Sequence, residues 1–229
     1  YHWQLYSLPE EVIARSVYAE GDSIFVGSYE EFGYFKHRKD GTLKYYSLRN
    51  KVKNFVMDNE EIWNIMRHNG RLIFQSFKSA FIWDGHNIEI VSHKNQQPLY
   101  FHKINNKIYA QIINGDYCIF DGKNYQKVFD RQQFGDDNIV AAIQLAKGRA
   151  VLCSDHHGLF MLDKANNITK FDTEADQQLA HEQVNRAIMT QDSTLIIGTI
   201  LDGIYALDLK GKLLWHYSTQ SGILNNSVL

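Results

Sequence analysis

A unit of roughly 43 residues is written five times into this chain. That length falls in the period range of propeller blades, and a period of this kind limits the fold more than any local propensity. Each copy opens with a short apolar strand that closes on a small residue. A tight loop, a second apolar strand, a polar turn and a third strand follow. The copies are SIFVGSYEEFGYFKHRKDGTLKYYS at 23–47, RLIFQSFKSAFIWDGHNIEIVS at 71–92, KIYAQIINGDYCIFDGKNYQKVF at 107–129, RAVLCSDHHGLFMLDKANNITKF at 149–171 and TLIIGTILDGIYALDLKGKLLWHYS at 194–218. Their starts are separated by 48, 36, 42 and 45 residues.

Each copy is preceded by one more apolar stretch that ends in a polar turn, such as IWNIMRHNG from Ile62 or VNRAIMTQDS from Val184. A period therefore holds four short strands, A to D. Alternation at Ile24, Val26, Phe32 and Tyr34 suits strands with one buried face. The run Leu195-Ile196-Ile197 suits a central strand covered on both faces. Asp40-Gly41, Asp84-Gly85 and Asp121-Gly122 fall at one register, the C–D turn, where Gly supplies the positive φ that tight turns need. Aromatic residues make up 13% of the chain and there are two prolines, which favours β structure. A sandwich or barrel shares the even strand spacing. Similarity at the blade period favours an all-β propeller fragment of about five four-stranded antiparallel blades.

The expected blades run 8–48, 49–93, 94–130, 131–174 and 175–219. Residues 1–7 read as strand D of a preceding blade, because Trp3-Gln4-Leu5-Tyr6-Ser7 is similar to Trp215-His216-Tyr217-Ser218. Residues 220–229 read as the start of a following one, which makes an open arc of a larger ring the expectation. No helix longer than a turn or two is predicted; 172–180 is a D–A connection.

The chain has 229 residues, 44% of them apolar, enough for a sizeable core. Net charge is −2 and the basic residues are scattered, which gives no footprint for a nucleic acid backbone. Cys118 and Cys153 have no metal-ligand spacing and make no disulfide framework. No apolar run approaches the roughly 20 residues that span a bilayer.

SGILNNSVL at 221–229 resembles the blade-opening phrase of the two-component regulator propeller repeat family. LIIGTILDGIYALD at 195–208 is similar to that repeat's core, and IFVGSYEEFGYF at 24–35 matches more loosely. Copies two to four lack the Gly-Thr of that core. The resemblance implies a sensor region on the periplasmic side of a membrane-anchored regulator. Its output would be a hybrid histidine kinase or a helix-turn-helix transcription factor, its usual signal a glycan fragment. Neighbouring blades and domains of the same parent chain would be its partners, with a homodimer of the parent within the expectation.

No set of converging groups for catalysis stands out, so this fragment is expected to be no enzyme and to carry no cofactor or metal. Asp155-His156-His157 reads as an exposed loop, since adjacent histidines on a tight turn do not converge on one metal. Arg15 and Arg186 fall on strand A, which lines the channel of a propeller. There they hydrogen-bond a ligand or form ion pairs between blades. Tyr29, Phe77, Asn114, His156 and Asp202 fall on the loops between B and C, with Glu30 beside Tyr29. The expected ligand-binding residues are thus Arg15, Tyr29, Glu30, Phe77, His156, Arg186 and Asp202, with an oligosaccharide as ligand. Two other classes stand beside a sensor. ALDLKGKLLWHYS at 206–218 resembles a phrase of quinoprotein propeller enzymes, and a scaffold propeller would bind only other proteins.

Overall fold

The structure is a computed structural model that describes residues 3–228. It contains five four-stranded antiparallel sheets, and within each the strands are adjacent in chain order. Blade 1 is β1 (Ser16–Glu20), β2 (Ser23–Gly27), β3 (Phe32–His37) and β4 (Leu43–Ser47). Blade 2 is β5 (Asn64–His68), β6 (Arg71–Gln75), β7 (Ser79–Trp83) and β8 (Ile88–Ser92). Blade 3 is β9 (Pro98–Ile104), β10 (Lys107–Ile112), β11 (Tyr117–Phe120) and β12 (Tyr125–Phe129). Blade 4 is β13 (Ile139–Gln144), β14 (Ala150–Ser154), β15 (Leu159–Leu162) and β16 (Ile168–Lys170). Blade 5 is β17 (Val184–Met189), β18 (Leu195–Thr199), β19 (Ile204–Leu207) and β20 (Leu213–Tyr217). Among the described residues no ladder joins one sheet to another, and a single bridge, Tyr29 to Glu61, links blades 1 and 2. This is a propeller fold, built of separate blades and not closed into a barrel.

Two compact units divide the chain between Phe101 and His102, inside β9. In the first, the facing sides of blades 1 and 2 make one aromatic-rich core. Phe25 and Phe32 of blade 1 meet Phe74 and Phe81 of blade 2, with Phe32 and Phe74 rings 4.8 Å apart. In the second, Tyr109 and Tyr117 of blade 3 pack with Phe134, Leu152 and Phe160. A fully buried aromatic side chain contributes about 2–3 kcal/mol. A lone four-stranded sheet has two apolar faces to hide, so blades are stable only in stacks.

Aspartate shapes every C–D turn. Asp40, Asp84, Asp121, Asp163 and Asp208 each accept hydrogen bonds from backbone N–H groups two to four residues ahead. These bonds favour the ionised form and hold the carboxyls below their ordinary range. The leading donor is the Thr42 hydroxyl for Asp40 and the Asn87 and Asn124 N–H groups for Asp84 and Asp121. It is the Asn167 side chain for Asp163 and the Lys212 N–H for Asp208. The Asp-Gly pairs mark three of these turns; the aspartate marks all five.

Three local features complete the description. A helix α1 (Asp176–His181) sits in the D–A connection of 172–180 and buries Leu179. Trp3–Ser7 form no strand, and Tyr1 and His2 lie outside the described residues. A strand needs a hydrogen-bonding neighbour, and this segment has none among the described residues. Tyr6 instead sets its ring edge-on to Phe35, at 6.0 Å, on the other face of blade 1. Residues 221–228 form no strand either and lie against blade 5.

Candidate functional site

The rim of each blade begins where strand B meets the B–C loop. A short backbone bond closes that loop in every copy: Ser28 N–H to Glu31, Ser76 to Ser79, Ile112 to Asp116, Ser154 to Gly158 and Thr199 to Gly203. The residues just before these donors, Gly27, Gln75, Gln111, Cys153 and Gly198, are therefore equivalent. At each of these corners the chain on its way to the next strand A is bound. Ile62 N–H donates to the Ser28 carbonyl at 3.0 Å, Val184 to Asp155 at 2.9 Å and Val228 to Thr199 at 2.9 Å. Where the corner residue is glutamine, its side chain accepts instead. Phe101 N–H reaches Gln75 Oε1 at 3.1 Å, and Ile139 N–H reaches Gln111 Oε1 at 2.9 Å.

In the first unit this corner brings side chains of mixed chemistry together. Arg15 N–H pairs with Gly27, and Trp63 N–H pairs with the equivalent Gln75, so the two occupy one position in successive blades. They meet: the Arg15 guanidinium lies 5.7 Å from the Trp63 ring centre. Arg15 Nε also lies 2.5 Å from Glu61 Oε1. Phe77, on the B–C loop of blade 2, tilts against Trp63 with ring centres 5.1 Å apart. Tyr29 bridges Glu61 through its backbone and donates its hydroxyl to Asn59 Oδ1 at 2.8 Å. Glu30 accepts the Asn59 N–H at 2.8 Å. Burial, and next the Glu30 charge, raise the Tyr29 phenol above its ordinary value, so it stays a donor.

The four expected residues of this unit, Arg15, Tyr29, Glu30 and Phe77, thus belong to one cluster. Its centre, Glu61 and Trp63, was not among the expected residues. The signal was present in Trp63, which takes Arg15's place in the second copy. Two further carboxylates lie beneath the surface. Glu31 is buried and accepts Tyr45 and Ser47 hydroxyls at 3.0 and 2.8 Å. Glu60 is buried and accepts from Ser76 and, at 2.7 Å, Ser79. They fix the loops that carry Tyr29 and Phe77. An open apolar groove of about 410 Å³, lined by Tyr6, Leu8, Val12, Val26 and Phe35, holds none of the four.

In the second unit the expected residues have separate local partners. His156 donates its backbone N–H to Asp137 at 2.7 Å, and His157 Nδ1 lies 2.8 Å from the same carboxylate. Asp155 turns the other way and accepts from the Asn138 backbone and side chain. The Asp155-His156-His157 run is therefore split between two partners. Asp202 accepts the Tyr205 hydroxyl at 2.5 Å and lies 3.1 Å from His216 Nε2. Tyr205 and His216 rings stack at 4.2 Å. Burial, and then this hydrogen bond to Asp202, raise the Tyr205 phenol. Arg186 donates to the Asn185 carbonyl.

Burial lowers the pKa of His102 to about 4, against an opposing hydrogen bond with the Val140 backbone and with help from the Arg186 charge. Its Nδ1 lies 2.9 Å from the Tyr117 hydroxyl. Asp208 and Trp215, the frame of the quinoprotein-like phrase, serve as a turn-forming residue and a sheet-face residue.

No family model and no curated protein sequence matches the chain. Solved structures share its fold at low identity. Virginiamycin B lyase from Staphylococcus aureus is similar with a TM-score of 0.64 and 9% identity, over 88% of this chain and 68% of that one. The extracellular domain of a hybrid two-component system from B. thetaiotaomicron is similar with a TM-score of 0.59 and 15% identity. That match covers 99% of this chain and 37% of the other. PorZ, a surface component of the type-IX secretion system of Porphyromonas gingivalis, gives 0.63 and 9%, over 90% of this chain and 28% of that one. The chain spans well under half the length of the latter two. At these identities the likeness establishes the fold, shared by a lyase, the extracellular domain of a hybrid two-component system and a secretion-system component alike.

Proposed function

We propose that this propeller is the ligand-sensing region of a signal-transducing regulatory protein, placed outside the cytoplasm in the periplasm, with a glycan as its signal. One observation carries the reading: the Trp63–Phe77 ring pair, framed by the Arg15–Glu61 ion pair and the Tyr29 hydroxyl at a blade corner. Aromatic faces flanked by hydrogen-bonding groups suit a sugar ring, which has apolar C–H faces and a polar edge. Arg15, Tyr29, Glu30 and Glu61 already have partners, while the buried Trp63 Nε1 has none among the described residues, so binding exchanges existing hydrogen bonds for new ones at all but the indole. That predicts modest affinity and a response that depends on the difference between two arrangements of the corner. The likeness to an extracellular sensor domain supports the reading at the level of the fold.

A panel of oligosaccharides screened by thermal shift on the full-length protein tests it. Stabilisation by a subset of glycans is expected, lost in Trp63→Ala and Phe77→Ala variants that keep the unliganded melting temperature within a few degrees. Silence across a broad panel, or stabilisation that survives both substitutions, contradicts the assignment.

A further inference from the structure

We propose that the free face of blade 5 is the seat of a further four-stranded blade of the same polypeptide, led in through Val228. Two independent features point there, both within the second unit, and neither rests on the sensing reading.

The first is the corner itself. Val228 N–H binds the Thr199 carbonyl at 2.9 Å, as Ile62 binds Ser28 in front of blade 2. Asn185 Nδ2 donates to the Val228 carbonyl at 2.7 Å, as the Ser16 hydroxyl donates to the Ile62 carbonyl at 2.8 Å. A Cβ on Gly198 would lie 2.5 Å from Val228, and one on Gly27 would lie 2.4 Å from Ile62. Val228 thus repeats these three contacts of Ile62, and strand A of blade 2 begins two residues after Ile62. It is the seating of Val228 in this corner that identifies it as the lead-in of a blade.

The second is the face beside it. The cross-strand row Tyr18, Phe25, Tyr34, Tyr46 of blade 1 points towards blade 2, where Phe25 is 5% exposed and packs on Phe74 and Trp83. The same registers in blade 5 hold Ile188, Ile196, Ala206 and Trp215. Trp215 is 39% exposed, the same as Tyr46 at its place in blade 1 (40%), but Ile188 is 62% and Tyr217 is 49% exposed, whereas Tyr18 and Leu48 at their places in blade 1 are half-buried and 1% exposed. A contiguous apolar patch of this kind marks a packing surface. Ile188 and Tyr217 hold the places that the following blade covers in blade 1.

Hydroxyl-radical footprinting of the unmodified full-length protein tests the inference without a variant that could misfold. Met189 lies on the opposite face of β17 and is 38% exposed, which makes it an internal reference for Tyr217. A packed blade excludes water from Tyr217, as blade 2 does from Leu48, so Tyr217 should oxidise about tenfold more slowly than Met189, at any protein concentration. Similar rates for the two side chains overturn the proposal. So does protection that disappears on dilution, which would assign the face to a second copy of the chain.

Discussion

The corner of blade 1 and the corner of blade 3 solve one problem in two ways. Both must bind the N–H of the chain that leads into the next blade. At Gly27 the chain comes so close that Ile62 occupies the space of a side chain, and a main-chain carbonyl accepts. At Gln111 the chain stands further off, and the glutamine amide spans the gap to Ile139 while also donating to Ile112 and Gly115. The function of the position is to satisfy a buried donor. Residue identity follows from how near the backbone comes, which explains how the repeat loses its Gly-Thr in the middle copies and keeps its shape.

Exchanging the two solutions should break the molecule most. Gly27→Gln puts the side chain of blade 3 where Ile62 and Ser16 already sit, and overpacking at that level costs about 3 kcal/mol or more. Urea unfolding of the variant measures this; a loss below 1 kcal/mol, by the same yardstick, would mean that the close approach is not real.

Acid should weaken the second unit next. His102 has a pKa near 4 in the folded chain and about 6.5 when unfolded, so below pH 6.5 the unfolded state takes up the proton first. Stability is fully present above pH 6.5 and falls towards pH 4, by up to about 3 kcal/mol. His102→Gln should flatten that part of the stability–pH curve, read by denaturation at several pH values. An unchanged slope would contradict the assignment.

Gln111→Leu keeps the volume but strands the Ile139 N–H, at a cost of about 2 kcal/mol, and Gln111→Glu keeps the acceptor but sets a buried carboxylate against the Ile112 and Gly115 carbonyls, so it should cost at least as much. Unfolding midpoints compare the two. Least of all, Arg15→Ala removes a half-exposed ion pair with Glu61 and should change stability by less than about 1 kcal/mol while weakening any glycan response.

The blades were readable from the sequence because a period of strands survives the loss of individual motifs. The C–D turns were readable because Asp and Gly have few other reasons to recur at one register. What escaped was the pairing across blades. Glu61 and Trp63 lie 46 and 48 residues from Arg15, one full period away, and local patterns do not reveal such neighbours. The same limit applies to 1–7. Its likeness to 215–218 is a likeness of residues, while a strand also requires a partner, which Trp3–Ser7 lack among the described residues.

The most direct test of a repeated corner is a double-mutant cycle on Gly198 and Val228, measured by chemical denaturation. The three atoms nearest to the place of a Cβ on Gly198 all belong to Val228. Gly198→Ala alone should be costly, and Val228→Gly should relieve most of that cost, giving a coupling of at least about 1 kcal/mol. Two effects that simply add, within about 0.3 kcal/mol, would show that the incoming chain does not rest on the glycine.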